Sequence, residues 1–125
     1  MPEVRLVYYQ ERGHVPMVEW LATLDADARW RCEYGLDRLR SEGHALRRPL
    51  ADYIARGIFE LRVKHLRVHY RMLYFFCGRS VVVVSHGFTK QGAVIPYEEI
   101  RRAVDRKLRF EADPRTHSFG GRDES

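Results

Sequence analysis

No stretch of the sequence approaches the roughly 20 consecutive apolar residues that span a bilayer. The first residues, Met1-Pro2-Glu3-Val4-Arg5, lack the apolar run of a signal peptide. The chain has 2 cysteines, Cys32 and Cys77, and no CxxC pair. That is too few for a disulfide framework and the wrong pattern for a zinc clasp. Together these absences predict a soluble, cytoplasmic chain with reduced thiols and no membrane partner. Neither GxGxxG nor GxxxxGK(S/T) occurs, which removes the common dinucleotide and P-loop cradles. HExxH and clustered carboxylates are missing as well, so no metal and no other cofactor is expected. Ser80 and Ser85 lie in a strand-like run without a nucleophile elbow, which argues against a Ser-His-Asp triad. One absence is local: from Leu61 to Tyr97 there is no Asp or Glu.

What remains is enough for one domain. The 125 residues are 45 % apolar and 12 % aromatic, so a real core can form. The formal net charge is +5, carried by 22 Lys and Arg against 17 Asp and Glu. Arg outnumbers Lys by 19 to 3. A planar guanidinium suits phosphate and stacks on bases. The balance therefore points to an acidic partner and is silent on fold.

Arg5-Leu6-Val7-Tyr8-Tyr9 reads as a first strand. Gly13-His14 ends it, and Pro16 opens a helix with Met17, Val18, Trp20, Leu21 and Leu24 at helical spacing. Asp25 is an N-cap for a second helix that runs to Glu42 and stops at Gly43. Its stripe is Ala28, Cys32, Leu36 and Leu39. Ile58–Val63 alternates with period two, Val68–Cys77 is a long aromatic strand, and Ser80–His86 is a third, apolar on both faces. Gly78-Arg79 joins the last two. Pro96 opens a final helix with Tyr97, Ile100, Val104 and Leu108 as its seam. The order β-α-α-β-β-β-α describes an α+β domain: a helix hairpin on a small, mainly antiparallel sheet, then a C-terminal helix. Residues 1–110 form the domain, and 111–125 read as a flexible tail.

The acid-free stretch Leu61–Tyr97 carries a charge of +6 from Arg62, Lys64, Arg67, Arg71, Arg79 and Lys90. The rest of the chain is slightly acidic. His65, His69 and His86 lie in the same stretch. If the helix hairpin covers one face of the sheet, these side chains converge on the open face. Such a surface attracts a polyanion, and interleaved rings suit single-stranded RNA. Arg and Lys on a strand also serve as a solvated, edge-protecting face, and Tyr70, Tyr74 and Phe76 read as core.

Four segments carry a resemblance: Gly57-Ile58-Phe59-Glu60-Leu61-Arg62, His69-Tyr70-Arg71-Met72-Leu73-Tyr74-Phe75, His86-Gly87-Phe88-Thr89-Lys90-Gln91 and Pro96-Tyr97-Glu98-Glu99-Ile100. In that order and spacing they resemble the RelE/ParE toxin superfamily, within it the HigB-like, phage-derived branch. The resemblance covers about residues 4–110. It implies the RelE-like β-α-α-β-β-β-α fold. It also implies the toxin of a type II toxin–antitoxin pair, an endoribonuclease (mRNA interferase) that cuts mRNA on the ribosome and blocks translation. The implied reaction needs no metal: the 2′-hydroxyl attacks the adjacent phosphate, leaving a cyclic phosphate and a 5′-hydroxyl. The implied partners are mRNA on the ribosome and a cognate helix-turn-helix antitoxin, which joins the toxin in a hetero-oligomer.

On this resemblance Arg71 matches the strand arginine that contacts the scissile phosphate. Lys90 matches the first lysine after the His-x-Phe element, and Arg62 matches the Glu-Leu-Arg arginine. These three are the expected catalytic residues, offsetting charge on the phosphate. Lys64, His65, Arg67, His69, His86 and Tyr97 are expected to bind RNA, with proton transfer open to the histidines. Many relatives carry Lys-Lys where this chain has Lys90-Gln91, which removes one phosphate contact. The alternatives are a ParE-like inhibitor of DNA gyrase and a catalytically inert member that only binds its antitoxin.

Overall fold

The computed structural model describes residues 4–90, 92 and 94–120, and the backbone alone of Lys90. It is an α+β fold whose described residues form three α-helices, one 3₁₀ turn (Gly43–Ala45) and one six-stranded sheet. The chain runs β1 (Arg5–Tyr9), α1 (Pro16–Ala22), α2 (Ala26–Glu42), β2 (Ala51–Ala55), β3 (Ile58–His65), β4 (Val68–Cys77), β5 (Val81–Lys90), α3 (Tyr97–Ala112) and β6 (Ser118–Phe119). The strands lie in the order β2-β3-β4-β5-β1-β6. All pairings are antiparallel except β1 with β5, which runs parallel from Arg5↔Val81 to Tyr8↔Val84.

Local chemistry accounts for the helix ends. Pro16 stands at the first position of α1, where a missing N–H costs nothing. The Asp25 carboxylate accepts from the Ala28 N–H and caps α2, which ends at Gly43 with φ 54°. The α2 stripe of Ala28, Cys32, Leu36 and Leu39 is buried throughout.

Helices cover both faces of the sheet. Met17 and Leu21 of α1 and the α2 stripe pack with Leu61, Met72, Tyr74, Val82 and Val84. On the opposite face Ala103, Val104 and Phe110 of α3 pack with Val7, Ile58, Leu73, Phe75 and Val83. The expected open face is therefore largely closed by α3. What stays uncovered is its end beside the β3–β4 turn.

Four features depart from the sequence expectations. β2 adds an edge strand that the segment Ala51-Asp52-Tyr53-Ile54-Ala55 does not announce, because it pairs on one side only and alternates weakly. β5 extends past His86 to Lys90. The α3 seam is displaced: Tyr97 and Leu108 are exposed, and Phe110 is buried in their place. In the segment expected to be a flexible tail, Ser118–Phe119 pairs with β1, His117 stacks on Tyr9 at 5.0 Å, and Gln10 bonds the Ser118 carbonyl at 3.0 Å. Residues 121–125 of that tail, and Gln91, lie outside the described residues.

Two close approaches shape the sheet. Leu66 and Arg67, at φ 52° and 70°, form the two-residue β3–β4 turn, whose positive φ pair matches strand twist. At Gly87 the Trp20 ring sits where a Cβ would be, with a ring carbon 2.2 Å from that position. Glycine is required there if α1 is to lie flat on β5.

Candidate nucleic-acid interface

The register of β3, β4 and β5 assembles the basic residues. Arg62 faces Arg71, and Arg71 faces Phe88. One step nearer the turn, Lys64 faces His69, and the Cα of His69 pairs with that of Lys90. Like charges directly opposite each other destabilise a sheet unless something sits between them. Here Glu60 does. It is 2 % exposed, its Oε2 accepts from Arg62 Nε at 2.8 Å, and its Oε1 accepts from an Arg71 terminal N–H. Arg62 also donates to Asp52 at 3.1 Å, and Asp52 accepts from Arg48 at the same distance. The Arg48 guanidinium, first among its neighbours, holds the Asp52 carboxyl below its ordinary range. Three arginines and two carboxylates thus form one chain with a surplus of positive charge.

This corrects the expectation of an acid-free site. The acid lies one residue before the acid-free stretch, and burial brings it into the middle. Arg71 is 6 % exposed and already paired, and its Nε is the buried side-chain atom among the described residues that lacks a hydrogen-bond partner. It braces Glu60 more directly than it presents itself to solvent. Arg62 is half-buried, Lys64 is exposed, and His69 is partly exposed. Among the described residues neither Lys64 nor His69 has an ion-pair partner.

A groove of about 750 Å³ runs round the β3 edge past the point where β2 stops at the Ala51↔Leu61 pair. Its β-sheet wall holds Arg62, Val63, Lys64, His69 and Arg71. Arg31 and Arg38 line it from α2, and Arg47 and Arg48 from the connection to β2. No Asp or Glu is among its lining residues. Sequence reasoning missed the arginines of α2 and of residues 47–48. They precede Arg62, the first strand residue of the groove, by 14 to 31 positions, and the packing of α2 on β3 brings them beside it.

The other expected residues do not converge there. Strand alternation puts His65 on the face of Leu61 and Val63, away from Lys64 and His69. Arg67 is exposed at the turn, and Tyr97 is exposed at the start of α3. His86 is buried between β5 and α3. Its Nε2 donates to Glu99 at 2.8 Å, and its Nδ1 accepts from the Ser85 hydroxyl at 2.7 Å. Burial lowers the imidazole pKa more strongly than Glu99 raises it, so the ring is neutral at neutral pH. The bond from His86 in turn holds Glu99 below its ordinary range. The chain Ser85–His86–Glu99 has the connectivity of a triad, but the Ser85 hydroxyl is fully buried and nothing can reach it. His86 is a clasp between helix and sheet.

The family model "Phage derived protein Gp49-like (DUF891)" matches residues 19–108. That span is most of the chain and contains the whole groove. The chain belongs to the Gp49-like family. This is a RelE-like, toxin-like family of toxin–antitoxin systems, and it implies an antitoxin as partner. No curated protein matches the chain. Among the described residues of this Gp49-like protein, no cluster of His, Cys, Asp and Glu is placed to hold a metal ion, and no helix is long and apolar enough to cross a membrane.

Proposed function

We propose that this Gp49-like protein is an mRNA interferase of the HigB-like branch, cutting mRNA on the ribosome. The observation that carries the reading is the groove of Arg31, Arg38, Arg47, Arg48, Arg62 and Lys64 with no carboxylate in its lining. A surface with that charge takes a phosphodiester chain. Cleavage requires that the 2′-oxygen lose a proton and attack the adjacent phosphorus. The phosphorane charge is offset by fixed cations, and the 5′-oxygen leaves with a proton. Arg62 and Lys64 flank the phosphate in this scheme. His69, opposite Lys64 on the neighbouring strand, is the imidazole beside them, a side chain that can both give and take a proton. The backbone register of Lys90 with His69 supports including Lys90 in this scheme. Arg71 is a positioning residue, since it holds Glu60 and, through it, the Arg62 fork.

The test is induction of the protein in bacteria, with transcript ends mapped and their chemistry determined. The reading expects growth arrest, cuts inside translated codons, and 5′-hydroxyl ends that vanish when translation is blocked. Arrest with intact transcripts and a broken-DNA response would replace it with gyrase inhibition. Neither arrest nor cleavage would leave an inert, antitoxin-binding member.

A further inference from the structure

Trp30 and Tyr34 stand one turn apart on α2, outside its buried stripe. They are 63 % and 54 % exposed. Their rings are stacked, with centroids 5.7 Å apart and planes 14° from parallel. Two large rings held flat in water contribute little to a core that the other side of α2 already fills. They line the same groove as Arg62 and Lys64. Arg31 follows Trp30 directly, and Arg38 lies one turn beyond Tyr34, so cations flank the rings along the helix.

We propose that the Trp30–Tyr34 stack is a platform for nucleobases, and that single-stranded RNA crosses the groove with its bases on these rings and its phosphates on Arg31, Arg38, Arg47 and Arg48. The inference rests on the RNA reading above and adds a second binding region to it. In a stacked pair each ring keeps one outer face open, and a planar base fits such a face whatever its sequence. The guanidinium groups alongside neutralise the backbone: Arg38 and Arg48 share their charge with Glu42 at 2.6 Å and Asp52 at 3.1 Å, while Arg31 and Arg47 have no ion-pair partner among the described residues. An acidic peptide would meet the same cations but has no planar groups to match two parallel rings. The platform shares one groove with the Arg62–Lys64 row, so it holds the nucleotides beside the phosphate to be cut.

The experiment uses a labelled 2′-O-methyl oligoribonucleotide of mixed sequence, which binds without being cleaved. Wild type should bind it with quenching of tryptophan fluorescence. Trp30→Ala with Tyr34→Ala should weaken binding by about ten- to a hundredfold, the range for losing one or two base stacks. Trp30→Phe should retain binding but lose the quenching, because the other tryptophan, Trp20, is packed against β5. Both rings are exposed, so an unchanged melting curve checks that the variants fold. Binding of the double variant equal to wild type overturns the platform alone. No binding by wild type also overturns the platform, and the RNA reading is then decided separately by the transcript ends mapped on induction. Unchanged oligonucleotide binding with loss of the antitoxin complex would make this face a protein-docking surface and overturn the proposal.

Discussion

Glu60 and Arg71 are joined by a buried ion pair although they do not face each other across the β3–β4 ladder. Register sets Glu60 opposite Leu73 and Arg71 opposite Arg62, so the pair is diagonal. The same carboxylate serves Arg62. Removing one member of a buried pair leaves a charge without compensation, at a cost of about 3–5 kcal/mol. Glu60→Ala should therefore lower stability by about that much in urea unfolding. Glu60→Ala with Arg71→Ala should cost clearly less than the sum of the single changes, since contacting residues couple. Additive costs would show that the two residues do not act as a pair. Loss of toxicity in Arg71→Ala must be read beside its melting curve, because a fold defect gives the same phenotype.

Gly87 is fixed by Trp20. A methyl group there would overlap the indole, so Gly87→Ala forces the ring or the strand to move. Overpacking of this kind costs about 1–3 kcal/mol. The same change made in a Trp20→Leu background should cost less, because the obstructing ring is gone. Thermal melts of the four proteins decide it. An equal cost in both backgrounds would mean that something other than the indole constrains Gly87.

The His86–Glu99 clasp sets a pH dependence of stability. The folded-state pKa of His86 is lowered, chiefly by burial, so the unfolded chain binds its proton more readily. Its stabilising effect is complete above the ordinary histidine pKa of about 6.5 and is lost as pH falls through the lower folded value. Glu99 is also lowered, chiefly by its bond from His86, and its contribution is lost at still lower pH, below the ordinary carboxylate range. Stability measured by denaturant at a series of pH values should decline from near pH 6.5 downward. His86→Gln should remove the upper part of that decline and, because Glu99 loses its bond from the imidazole, reduce the lower part as well. A His86→Gln profile parallel to wild type would assign the upper phase to another group.

Most of the fold was readable because its signals are local. The Asp25 cap, the Pro16 start, the α2 stripe and the limits of β4 depend on neighbours in sequence, and all stand as expected. β2 and β6 did not show, because each is short and held by a single neighbouring strand. Helical spacing puts Leu108 on the α3 seam, whereas tertiary packing turns the helix to bury Phe110. The site was half legible. Charge counting located Arg62, Lys64, His69 and Arg71, but a count cannot see that Glu60 lies between two of them, nor that His86 is claimed by Glu99. Trp30, Arg31 and Arg38 carry no pattern along α2 except being off its stripe, and they gain meaning only when α2 lies against β3.

Lys64 and His69 offer the cleanest separation of function from folding. They face each other at the uncovered end of the sheet, and neither has an ion-pair partner among the described residues. Surface changes away from such partners usually alter stability by no more than about 0.5 kcal/mol. Lys64→Ala with His69→Ala should therefore unfold like wild type. A cation that holds a single-strand phosphate releases counterions on binding, so losing Lys64 should reduce the slope of log affinity against log salt by about 0.7. Transcript cleavage should fall at least about tenfold, the lower end of what a positioned acid or base contributes being nearer a hundredfold. His69→Ala alone should lower the cleavage rate while keeping the wild-type salt slope of binding, whereas Lys64→Ala should change both. If both variants cut RNA at the wild-type rate with the wild-type salt slope, the phosphate lies elsewhere in the groove, and the arginines of α2 and residues 47–48 become the residues to change next.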